Sequence, residues 1–140
     1  MTAQELLKAE IGEADYQLKK VFEGLSEADV DAKPLPTMMS IREMVEHLME
    51  CCVATTASVA GKEHPWGSYS APDKAWDAMT TEFWRLRAAA TDKVLTSEDP
   101  KAITSGAAFL VAHDNYHVGQ MAAIRIALDS AWDPYSIYNF

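Results

Sequence analysis

Two capping boxes fix where helices begin in this chain. Thr2-Ala3-Gln4-Glu5 and Ser40-Ile41-Arg42-Glu43 each set a hydroxyl residue three positions ahead of a glutamate. In that arrangement side chain and backbone satisfy each other's unpaired N–H groups at a helix start. Behind the first box, Leu7, Ile11, Ala14, Leu18, Val21 and Leu25 recur at alternating steps of three and four, with a stop expected near Gly24. Behind the second, Ile41, Met44, Leu48, Cys51 and Thr55 run toward Gly61. Each series lays one apolar stripe along a helix, and a stripe must be buried against another element. A polar linker, Ser26 to Thr37, separates the two helices, and Pro34 and Pro36 within it block helix continuation.

Two more stripes complete the pattern. After an irregular stretch from Lys62 to Ala71, Pro72 is placed for a first helical turn. Ala75, Trp76, Met79, Phe83, Leu86, Ala90 and Val94 then follow at bundle spacing, as far as the polar turn Thr96–Pro100. The last stripe is Gly106, Leu110, His113, His117, Met121, Ile124 and Leu128. No strand-like alternation or internal repeat is present. The 140 residues suit one domain over 1–140, and the expected fold is an all-α four-helix bundle. The tail from Asp129 carries Trp132, Tyr135, Tyr138 and Phe140 without any period, and is expected to lie over the bundle as an ordered aromatic cap.

Charge narrows the partners. A formal net charge of -9 repels phosphate backbones and anionic headgroups, so neither nucleic acid nor a membrane surface is an expected partner. The apolar runs fall well short of the roughly 20 residues needed to span a bilayer. The start lacks a basic segment followed by an apolar run, and the only cysteines, Cys51 and Cys52, are adjacent and read as free thiols. The expected location is cytoplasmic.

The chemistry sits on the fourth stripe. His113 and His117 in Ala112-His113-Asp114-Asn115-Tyr116-His117 lie one helical turn apart, so both imidazoles point the same way. Burying two unpartnered imidazoles is costly, and a shared divalent cation removes much of that cost. His47 is the only other histidine on a predicted helix, and a mid-helix position on the second segment can face one on the fourth. Three imidazoles with open positions describe a catalytic-type metal site. The plainer reading of His47 is a boundary residue beside Glu43 and Glu50. His64, in the Pro/Gly stretch, reads as a surface residue.

Asp114 projects about 100° from His113 and reads as a partner for an adjacent helix. Tyr116 reads as a packing residue with a satisfied hydroxyl. Gln120, one turn beyond His117, is placed to orient a ligand or substrate from just outside the site. Cys51, one turn beyond His47, is a fourth-ligand or redox-thiol candidate, although both cysteines read more simply as small buried hydrophobes.

The run Ser40-Ile41-Arg42-Glu43-Met44-Val45-Glu46-His47-Leu48, together with His113-Asp114-Asn115-Tyr116-His117-Val118-Gly119-Gln120, resembles the DinB/YfiT-type metalloproteins in helix number, order and histidine placement. The resemblance implies a four-helix bundle with a three-histidine site at His47, His113 and His117. It further implies one divalent metal (zinc, nickel or iron), a homodimer and, in some members, transfer of a low-molecular-weight thiol to a small-molecule substrate. The family often has Arg where this chain has Val118. Fold alone does not transmit function, so other readings stand beside a metal-dependent thiol transferase. One is a non-catalytic metal-binding sensor, carrier or dimerising module. Another is a hydrolase that uses Asp114 as general base in a shortened H-E-x-x-H. A di-iron centre is excluded, because no Glu-x-x-His occurs.

Overall fold

Both capping boxes form. Thr2 Oγ1 accepts from the Glu5 N–H at 3.1 Å, Ser40 Oγ accepts from the Glu43 N–H at 3.2 Å, and each glutamate reaches back to the cap N–H. A computed structural model describes residues 1–140. It contains α1 (Ala3–Phe22), α2 (Ile41–Val59), α3 (Trp76–Thr96), α4 (Pro100–Gly106) and α5 (Asp114–Leu128), and no strand. Between α4 and α5 the chain stays helical but widens to a π-helix over Ala107–His113, so the fourth helix is one rod in three stretches. Short 3-10 turns at Asp29–Asp31 and Pro134–Ile137 complete it. The molecule is an all-helical bundle, and none of its helices is long and apolar enough to cross a membrane.

The predicted stripes make the core. Leu7, Ile11, Ala14, Leu18 and Val21 of α1 are buried, as are Ile41, Met44, Leu48, Cys51 and Thr55 of α2. Along α2 and α3 runs the most extensive packing in the molecule, while α1 lies along α5 and the π segment. Helix α1 ends where Gly24 takes φ +77°, and α2 ends just ahead of Gly61 at φ +72°, a conformation costly for any residue with a Cβ.

Three expectations need correcting. Pro72 does not start α3, which begins at Trp76 after a turn in which Asp73 accepts from the Ala75 N–H at 2.9 Å. The fourth stripe is not one continuous α-helical face. The π segment carries an extra residue per turn, so Gly106, Leu110 and Asp114 are buried while His113 is only partly so, and Leu128 at the end is exposed. The tail is ordered but is not an aromatic cap. Ile137 anchors it in the core and the Arg125 guanidinium covers Trp132 at 4.9 Å, whereas Tyr135, Tyr138 and Phe140 face solvent.

Candidate metal centre

Helix α2 supplies one imidazole, and the π segment with the first turn of α5 supplies two. His113 Nε2 lies 3.1 Å from His47 Nε2 and 3.2 Å from His117 Nε2, and the three donor atoms all lie within 4.8 Å of one another. Three nitrogens held about 2.0–2.1 Å from one ion, at angles between octahedral and tetrahedral, sit about 2.9–3.4 Å apart. The observed spacings fall inside that range. The expected trio is therefore brought together, and His47 turns away from Glu43 and Glu50, which are engaged elsewhere.

The protonation pattern fits a cation-binding centre. Gln120 Oε1 lies 2.7 Å from His117 Nδ1, and an amide oxygen can only accept, so Nδ1 carries the proton and Nε2 presents a lone pair to the centre. Burial pushes the His47 and His117 imidazoles below their ordinary range, and repulsion from His113 adds to the shift. The neutral forms are the ones that bind metal. His113 Nδ1 is buried without a hydrogen-bond partner and lies 3.6 Å from Asp114 Oδ1. The His113 side chain keeps 27% of its surface exposed, so the centre is reachable from solvent.

Other candidates distribute around the trio. Gln120 does orient His117, and its Nε2 donates to Tyr116 Oη at 3.2 Å. Tyr116 is not a packing residue, because 63% of it is exposed at the edge of the centre. Cys51 Sγ lies 3.9 Å from His47 Nε2, outside the convergent set. Burial pushes its thiol up to about 12, and raises Cys52 as well, which fits the plainer reading of both as small buried hydrophobes.

Asp114 finds the partner on a neighbouring helix that its direction predicted. Arg87 on α3 donates through Nη1 to Asp114 and through Nε to Asp15, and its Nη2 donates to the Leu110 carbonyl at 2.9 Å. Arg87 is 1% exposed, and these bonds tie α1, α3 and the π segment together directly behind His113. Sequence reasoning missed this arginine by assigning its part of the stripe to Leu86, although Phe83, Arg87, Ala90 and Val94 keep the same helical spacing. It also missed the π segment, which has no sequence signal of its own.

His64 is not a surface residue. Its side chain is 9% exposed and donates to Glu50 Oε1 at 2.9 Å; the same oxygen accepts from Gly67 N–H at 2.7 Å. Burial opposes the Glu50 charge, but the bonds from His64, Gly67 and Tyr69 outweigh it and hold the carboxyl below its ordinary range. Glu46, one turn earlier, accepts from Ala71 N–H at 2.9 Å and from Lys74. Two glutamates of α2 thus latch the loop between α2 and α3 down beside the centre.

An all-helical bundle with one imidazole on its second helix and an H-x-x-x-H pair on its last defines a class of three-histidine bundle proteins. Residues 11–121, which hold all three histidines, match the family model of the DinB superfamily, and the chain belongs to that family. No curated protein and no solved structure matches the chain.

Proposed function

We propose that the protein is a divalent-metal-dependent transferase that joins a low-molecular-weight thiol to a small electrophile, with His47, His113 and His117 holding the metal. The observation that carries this reading is the convergence of three imidazole nitrogens at 3.1 and 3.2 Å on a centre that solvent can enter. Zinc, nickel and iron all suit an imidazole donor set. A divalent ion bound there supplies Lewis acidity that favours a thiolate over a thiol.

The protein's own residues supply position and access. Gln120 fixes the His117 ring, and Tyr116 accepts from Gln120, which leaves the phenol O–H free to donate to a bound substrate. In the transfer, the thiol sulfur forms a bond to the electrophilic carbon, the leaving group departs with the electron pair of the broken bond, and the thiol proton passes to water. Asp114 takes no part as a base, because its carboxylate is committed to Arg87. That commitment counts against the hydrolase reading.

Cobalt substitution followed by addition of a small thiol tests the proposal. A new sulfur-to-cobalt charge-transfer band is expected. An unchanged spectrum would favour a closed, non-catalytic metal site in a sensor, carrier or dimerising module.

A further inference from the structure

Beside the centre lies a cleft of about 430 Å³. One wall is the second half of α2, with Ala54 and Ser58; the other is formed by Trp66 of the latched loop and Phe109 of the π segment. Both walls lead to the histidines. On α2, His47, Cys51, Ala54 and Ser58 follow one another at helical spacing on one face. On the π side, the Phe109 ring lies 6.2 Å from the His113 ring.

The aromatic wall is built rather than incidental. Trp66 is 55% exposed, yet its neighbours are held firmly. His64 meets its ring edge-to-face at 5.3 Å, and both His64 and the Gly67 N–H bond to the 9% exposed Glu50 carboxylate. The Trp66 and Phe109 rings stack on one another, with planes 25° from parallel and centroids 6.1 Å apart, so Phe109 backs Trp66 and the pair lines the cleft as one aromatic unit. At the rim the adjacent Lys62 and Glu63 carry opposite charges, so the cleft selects for no net charge. Its volume suits a small molecule.

We propose that this cleft seats the flat, uncharged, aromatic or conjugated part of the electrophile, packing it against the stacked Trp66–Phe109 pair with its reactive end toward His113. The proposal rests on the transferase reading for the word electrophile, but the cleft's preference for a flat neutral ligand can be tested without turnover. The probe is 1-naphthol, titrated into the intact protein and followed by NMR at the Trp66 indole N–H and the Phe109 amide. Saturable shifts at both are expected. Binding should weaken roughly tenfold in Trp66→Ala, should persist in His47→Ala, and should not be strengthened by the charge of 1-naphthoate. Trp66→Ala should keep the wild-type helical circular dichroism, because the ring is half exposed and lies outside the core. The proposal is overturned if Trp66→Ala binds as tightly as wild type, or if the shifts map to the larger groove between Lys19, Trp76 and Trp84.

A kinetic arm separates the two ideas. Thiol conjugation with an unchanged KM for an aromatic electrophile in Trp66→Ala would remove the cleft assignment and leave the transferase. Naphthol binding in the cleft without metal-dependent conjugation would do the reverse.

Discussion

Arg87 and Asp114 form an ion pair in which the side chains are 1% and 3% exposed, and it sits between the core and the centre. Two charges so deep are favourable together and costly apart. Asp114→Ala, which leaves Arg87 with Asp15 and the Leu110 carbonyl but its Nη1 without an acceptor, is expected to lower stability by about 1–3 kcal/mol in urea denaturation. The double variant Arg87→Met/Asp114→Leu should recover most of that loss. A single-variant loss below about 1 kcal/mol would show that the pair behaves as a surface contact.

Gly106 stands where no side chain fits. A Cβ there would lie 2.5 Å from Val94 Cγ1 and 2.9 Å from Leu7 Cδ2, and Val94 is fully buried with a stiff β-branched side chain. The helical preference for Ala over Gly is worth up to about 1 kcal/mol, against about 1–3 kcal/mol for overpacking. Gly106→Ala should therefore be net destabilising by up to about 2 kcal/mol, seen as a lower Tm. A higher Tm would mean that α3 and α4 separate easily.

Much of the architecture is written in local chemistry. Thr2 and Ser40 announce their helices, Gly24 and Gly61 end them, and the three-and-four spacing picks out nearly every core residue of α1 but only half of the buried residues of α2, missing Val45, Met49 and Cys52, which widen its buried face. His113 and His117 were legible because two imidazoles one turn apart on an apolar stripe are conspicuous, and His47, beside its own stripe, because it is the only other histidine on a predicted helix. What was not legible depends on contacts distant in sequence. His64 in a Pro/Gly stretch looks exposed until Glu50 is found beneath it, and Arg87 looks like a surface cation until Asp15 and Asp114 close around it. The widening at Ala107–His113 has no local sequence signal, and it puts Gly106, Leu110 and Asp114 on the buried face while His113 stays at the edge.

Glu50 holds the loop through the bonds from His64, Gly67 and Tyr69. Glu50→Ala leaves those donors without their acceptor, at a cost of about 1–3 kcal/mol. Amide exchange at Gly67 should accelerate sharply while that of α1 changes little. Unchanged protection at Gly67 would show that the loop is held by other contacts.

The lowered imidazoles make the metal-free protein acid-sensitive. Because His47 and His117 titrate below the ordinary value of 6.5 when folded, the unfolded chain takes up protons first as pH falls below it. Their contribution to stability is complete above pH 6.5 and is lost as pH falls toward the lower folded values. Urea midpoints measured with chelator at pH 7.5 and 5.5 should drop, and His47→Asn/His117→Asn should flatten the drop. An equal drop in the variant would assign it to other groups.

His47, 66 positions from His113 in sequence, completes a cluster of three imidazoles with His113 and His117 that can hold a metal ion. Zinc titration by competition with a chromophoric chelator tests it most directly, comparing wild type with His47→Ala. Wild type should bind one equivalent tightly, and His47→Ala should bind more than about a hundredfold more weakly, since even residues that only support a ligand cost 10–100-fold. Undiminished one-to-one affinity in His47→Ala would contradict the three-histidine centre.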